Sequence, residues 1–86
     1  GAQNLEQPEI LLLPNPADHF IFLSFAGTDF EGIIQIFDAS GRTIKTFSEA
    51  GSILNLDISS LDPGSYTLII RPLNNRFVVS RTFIKR

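Results

Sequence analysis

No apolar stretch in this chain runs far before a turn-forming residue cuts it. Pro14-Asn15-Pro16, Ala26-Gly27-Thr28-Asp29, Asp38-Ala39-Ser40-Gly41, Gly51, Asp62-Pro63-Gly64 and Asn74-Asn75 follow one another at spacings of about ten residues. Each type interrupts for its own reason. Proline lacks an N–H and fixes φ, glycine reaches backbone angles closed to other residues, and Asn or Asp can hydrogen-bond its own backbone further on. The segments left between them suit strands and are too short for core helices, and no window of eleven residues carries a helical period. The pattern predicts an all-β chain of about seven strands, over residues 9–13, 18–25, 33–38, 43–47, 52–58, 65–71 and 77–85.

The 86 residues make one domain, read as a linker or flexible arm over 1–8 and a β-sandwich over 9–86. Hydrophobic residues are 43% and charged residues 19%, a globular balance. There are 8 Phe and no Trp, Met or Cys, so phenylalanine must supply much of the core volume. Without cysteine there are no disulfides, no thiolate chemistry and no Cys-based metal sites, and packing plus ladder hydrogen bonds must hold the fold. A net charge of −2 with pI about 5.1 argues against nucleic acid as a partner. No apolar run approaches the roughly 18 residues of a membrane helix, so no membrane insertion is expected.

Some strands declare their inner face. Leu54, Leu56 and Ile58 alternate with Ile53, Asn55 and Asp57, which puts the first set inside. Around residue 20 both faces are apolar. Ile21, Leu23 and Phe25 share one and Phe20 and Phe22 the other, so either both are covered or the two phenylalanines form a surface patch. The prolines of Pro14-Asn15-Pro16-Ala17 cannot sit inside a paired strand, so the chain must turn or change sheets there. The stretch from Leu56 to Ile70 reads as strand, corner, strand. Its Asp62-Pro63-Gly64-Ser65-Tyr66 resembles the tyrosine corner of Greek-key sandwiches, where the phenol bonds the upstream backbone.

Chemistry is sparse. His19 is the only histidine, and nothing marks a base for a Ser or Thr nucleophile. Asp57 and Asp62 could contribute to a calcium site, but aspartate is common at turns for backbone reasons, and their spacing is not that of a calcium-binding loop. The expectation is no enzyme, no metal and no cofactor. Arg76, Arg81, Lys85 and Arg86 hold four of the seven basic residues near the end of the chain. They read either as the charged outer face of a half-buried strand or as an exposed handle.

Four of these stretches stand in one order: Leu13-Pro14-Asn15-Pro16-Ala17, then Ile36-Phe37-Asp38-Ala39-Ser40-Gly41-Arg42, then Leu56-Asp57-Ile58-Ser59-Ser60-Leu61-Asp62-Pro63-Gly64-Ser65-Tyr66, then Thr82-Phe83-Ile84-Lys85-Arg86. Together they resemble the C-terminal sorting domain family of type IX (Por) secretion substrates in Bacteroidetes, over about residues 10–86. One departure is Leu13, where that family often has an aromatic residue. The resemblance implies an immunoglobulin-like (Greek-key) β-sandwich that is non-catalytic and carries an attached cargo through the periplasm and across the outer membrane to the cell surface or medium. Its partners would be the secretion machinery and a surface peptidase. The motif residues would be Pro14, Asn15 and Pro16, then Asp38, Gly41 and Arg42, then Gly64 and Tyr66, and finally Lys85 and Arg86. Removing residues 82–86 should then block delivery while the fold survives. The alternative is a small stand-alone secreted sandwich that binds protein or glycan or pairs with itself as a strand-edge homodimer.

Overall fold

The computed structural model describes residues 10–26, 28–74 and 78–86. The arm expected over 1–8, the start of the first strand at Glu9, and Asn75, Arg76 and Phe77 of the last hairpin lie outside them. Seven strands form: β1 (Ile10–Leu13), β2 (Phe20–Phe25), β3 (Phe30–Phe37), β4 (Thr43–Gly51), β5 (Ile53–Asp57), β6 (Gly64–Pro72) and β7 (Val79–Lys85). They make two antiparallel sheets, β1-β2-β5 and β4-β3-β6-β7. The chain therefore crosses between sheets after β2, after β4 and again after β5. No helix occurs among the described residues.

The core lies between the sheets and follows the alternation. Ile21, Leu23, Leu54 and Leu56 from the first sheet meet Ile34, Ile36, Leu68, Ile70 and Phe83 from the second, all buried. Each such side chain is worth about 1.5–3 kcal/mol of burial. Phe25 and Phe30, at the end of β2 and the start of β3, stack at 4.7 Å between ring centres. The ambiguous strand is resolved: β2 is central in its sheet, Ile21 and Leu23 point inward, and Phe20 and Phe22 stay 43% and 44% exposed on the outer face.

Two strands are longer than the punctuation suggests. β3 begins at Phe30 and β4 runs through Gly51, because Phe30↔Gly51, Glu31↔Ala50 and Gly32↔Glu49 pair across them. Turn-prone residues read as loop are drafted into a ladder by a partner strand. Gly32 is needed there, since a Cβ would stand 2.2 Å from the Arg71 carbonyl oxygen and 2.9 Å from the Phe30 ring.

Candidate functional site

The segment Pro14-Asn15-Pro16-Ala17 turns aside to the edge of the other sheet before the chain returns as β2. β1 pairs with β2 up to Leu13, and Ala17 then bridges Lys85 in parallel, at the free edge of the other sheet. Prolines cannot donate to a ladder, and Asn15 compensates. Its Oδ1 accepts the Ile84 N–H at 2.9 Å, 69 positions along the chain. Beside it the Ala17 N–H donates to the Ile84 carbonyl and the Arg86 N–H to the Ala17 carbonyl, each at 2.8 Å. The first motif thus holds the last. Arg86 also sits 3.3 Å from Asp18, an exposed pair that adds little stability.

On its other side the tail pairs with the corner. Gly64 faces Lys85, Ser65 faces Ile84 and Tyr66 faces Phe83. The Tyr66 and Phe83 rings stack at 5.5 Å. The Tyr66 hydroxyl donates to the Asp62 carbonyl at 2.5 Å, the bond expected of the corner. Burial, with the Asp62 and Asp38 charges after it, pushes the phenol above its usual pKa.

The second motif caps the same end of the sheet, because Phe37 pairs with both Thr43 and Thr67. Asp38 organises this hairpin. Its Oδ1 accepts the Ser40 hydroxyl (2.7 Å), the Ser40 N–H (3.0 Å) and the Arg42 N–H (3.0 Å). Its Oδ2 lies 3.1 Å from the Arg42 guanidinium. These bonds, the Ser40 hydroxyl foremost, lower the Asp38 pKa from 3.8 to about 2. Gly41 takes φ of 89°, which closes the turn. Asp57 is likewise used locally. It accepts the Ser59 hydroxyl and N–H at 2.6 and 2.9 Å, which lowers its pKa.

Where these stretches meet, a shallow groove of about 330 Å³ runs over the outer side of paired β6 and β7. β6 supplies Ser65, Tyr66 and Thr67, β7 supplies Thr82, Phe83 and Ile84, and Asn15 and Ala39 join from the first motif and the hairpin. All four motif stretches reach it. Of the ten motif residues named from the resemblance, Asn15 and Tyr66 line it. Pro14, Pro16, Asp38, Gly41, Arg42, Gly64, Lys85 and Arg86 belong to the flanking segments. Thr67, inside the expected strand 65–71, lines the groove from outside the four stretches. Its outward parity one step beyond Tyr66 was legible, but its register against Thr82 was not.

The tail differs from both readings made of its charge. Lys85 has the parity of Val79 and Phe83, is only 8% exposed, and donates from Nζ to the Arg86 backbone oxygen at 2.9 Å. The outward position next to it belongs to Ile84, 44% exposed. So the last strand carries a lysine inward and an isoleucine outward, and it is a built-in strand rather than a free handle. The reason is Phe83: it must point into the core against Tyr66, and a period of two fixes its neighbours.

A family model described as "Secretion system C-terminal sorting domain" matches residues 11–86. No curated protein and no solved structure matches the chain.

Proposed function

The chain belongs to the secretion system C-terminal sorting domain family, and we propose that the secretion machinery reads it at the groove where its four motifs meet. Membership makes it a C-terminal sorting signal for type IX secretion, which interacts with that machinery and implies export to the cell surface or medium. Beyond this, we propose that the domain carries an upstream cargo through the periplasm and across the outer membrane, and that a surface peptidase then removes it. In this reading Pro14, Asn15, Pro16, Asp38, Gly41, Arg42, Gly64 and Tyr66 build the scaffold, and Lys85 and Arg86 seat the tail. The outward Thr82 and Ile84 are what a partner touches.

The observation that carries this is the convergence itself. Stretches dispersed from Leu13 to Arg86 come together at one end of one sheet, and Asn15 bonds the tail backbone directly. The test is a reporter fused ahead of the domain in a type IX-competent bacterium. Ile84→Asp should leave the reporter in the periplasm while thermal unfolding of the isolated domain stays within a few degrees of the parent. Undiminished surface delivery of that variant would overturn the groove as the recognition site. A parent fusion that never leaves the periplasm would instead favour a stand-alone binding module. For that reading, the exposed face formed by Leu11, Leu13, Phe20, Phe22 and Ile53 is the supporting observation.

A further inference from the structure

β4 is an edge strand, and its outer side pairs with no strand among the described residues. The other edges are shorter or partly covered. β1 has four residues and runs into Pro14, β5 has five, and the end of β7 is bridged by Ala17. β4 has nine residues and no proline. Proteins usually blunt such an edge with like charges, proline or bulges. β4 carries one bulge, and its two charges, Lys45 and Glu49, are opposite in sign.

Thr43-Ile44-Lys45-Thr46-Phe47-Ser48-Glu49-Ala50-Gly51 is complementary to its own reverse about Phe47. Two copies placed antiparallel across a two-fold axis at Phe47 put Lys45 opposite Glu49 twice, Thr46 opposite Ser48 twice, and Phe47 opposite itself. Ile44 meets Ala50 and Thr43 meets Gly51, so the strands overlap with no overhang. The β-bulge against Ile36 and Phe37 falls at Ile44, outside the central five pairs. Lys45, Phe47 and Glu49 share one face and are half-buried, and the Lys45 ammonium lies 5.4 Å from the Phe47 ring centre. A shift of one residue in this register would lose both charge pairs and the hydroxyl pairs.

We infer that β4 is a self-association edge and that its partner is a second copy of this chain, paired antiparallel about Phe47. The interface is isologous, as a two-fold dimer requires. It makes one eight-stranded sheet of order β7-β6-β3-β4-β4-β3-β6-β7 and leaves the β6–β7 groove at either far end open. The inference stands independently of the sorting role. Edge pairing buries little area, so the dissociation constant should be on the order of 0.1–1 mM.

Sedimentation of the full 86-residue chain over a concentration series tests it. Glu49→Lys places like charges at both symmetric pairs and should raise the dissociation constant about tenfold, as should Lys45→Glu. The double variant K45E/E49K swaps the charges and should restore dimerisation to within about threefold of the parent. Circular dichroism melts establish that each variant is folded, and Phe22→Ser on the other sheet should leave association unchanged. A parent that stays monomeric up to about 1 mM overturns the inference. So does a dimer that ignores the single reversals, that the double swap does not rescue, or that Phe22→Ser abolishes.

Discussion

The corner at Tyr66 and the tail at Ile84 lie side by side on paired strands but are secured over different distances. Tyr66 reaches the carbonyl of Asp62, four residues upstream, through its own hydroxyl. Ile84 is secured by the carboxamide of Asn15, 69 positions away. The corner can form as soon as its loop does. The tail bond needs the whole sandwich closed first, because β1 belongs to the other sheet. A local bond stabilises a feature and a distant one makes the feature report on the fold. A sorting signal held the second way is complete only on a folded domain.

The largest effect should come from removing what the two regions share. Phe83 is 1% exposed and stacks on Tyr66, so Phe83→Ala should cost about 3–5 kcal/mol, near the whole stability of so small a domain. Deleting residues 82–86 removes Phe83 along with the partners of Asn15 and Ala17. That deletion should therefore unfold the domain, contrary to what the sequence suggested. A truncated chain with an unchanged denaturant midpoint would show that the tail is appended and not structural.

A paired substitution separates the two anchors at smaller cost. Tyr66→Phe and Asn15→Ala should each lose about 0.5–1.5 kcal/mol, one hydrogen bond apiece. Amide exchange should tell them apart. Asn15→Ala should speed exchange at Ile84, and with it Arg86, by local opening of the edge, whereas Tyr66→Phe should leave both close to the parent rate. Equal protection at Ile84 in both variants would mean that Asn15 does not hold the tail.

The same contrast explains what could be read from sequence. Turn punctuation and alternation made the seven strands legible, and with them the inner face of Leu54, Leu56 and Ile58 and the bond of Tyr66, because each is a short-range matter. Strand lengths were less legible. Ser48 to Gly51 look like a turn and become strand only because Phe30 to Gly32 lie across from them. Burial of Lys85 was missed for a similar reason. Its charge argues for the surface, and only the inward demand of Phe83 reverses that. The proline-rich segment announced a turn out of the strand or a change of sheet, but nothing local says that it touches β7 before returning as β2. The groove depends on register between distant stretches, so the four motifs pointed to its walls without showing that they share it.

The smallest expected effect compares the two aspartate turns. Asp38 and Asp57 both accept hydrogen bonds in their ionised form, so both have folded pKa values below the ordinary 3.8, to about 2 for Asp38. A depressed pKa means the folded state binds fewer protons than the unfolded one between those values. Stability should therefore be fully present above about pH 4 and decline as pH falls toward 2. Both turns are exposed, so the slope is shallow and best read from denaturant midpoints at pH 2 to 5. The leading contribution at Asp38 is the Ser40 hydroxyl and the smallest is the Arg42 charge. Ser40→Ala should flatten this acid limb more than Arg42→Gln, which keeps the backbone donor. The limb should also persist in high salt, which screens the ion pair but not the hydroxyl bond. If Arg42→Gln or salt alone erases it, the Asp38 hairpin is held by charge, and its likeness to the Asp57 turn, which a serine hydroxyl also leads, fails.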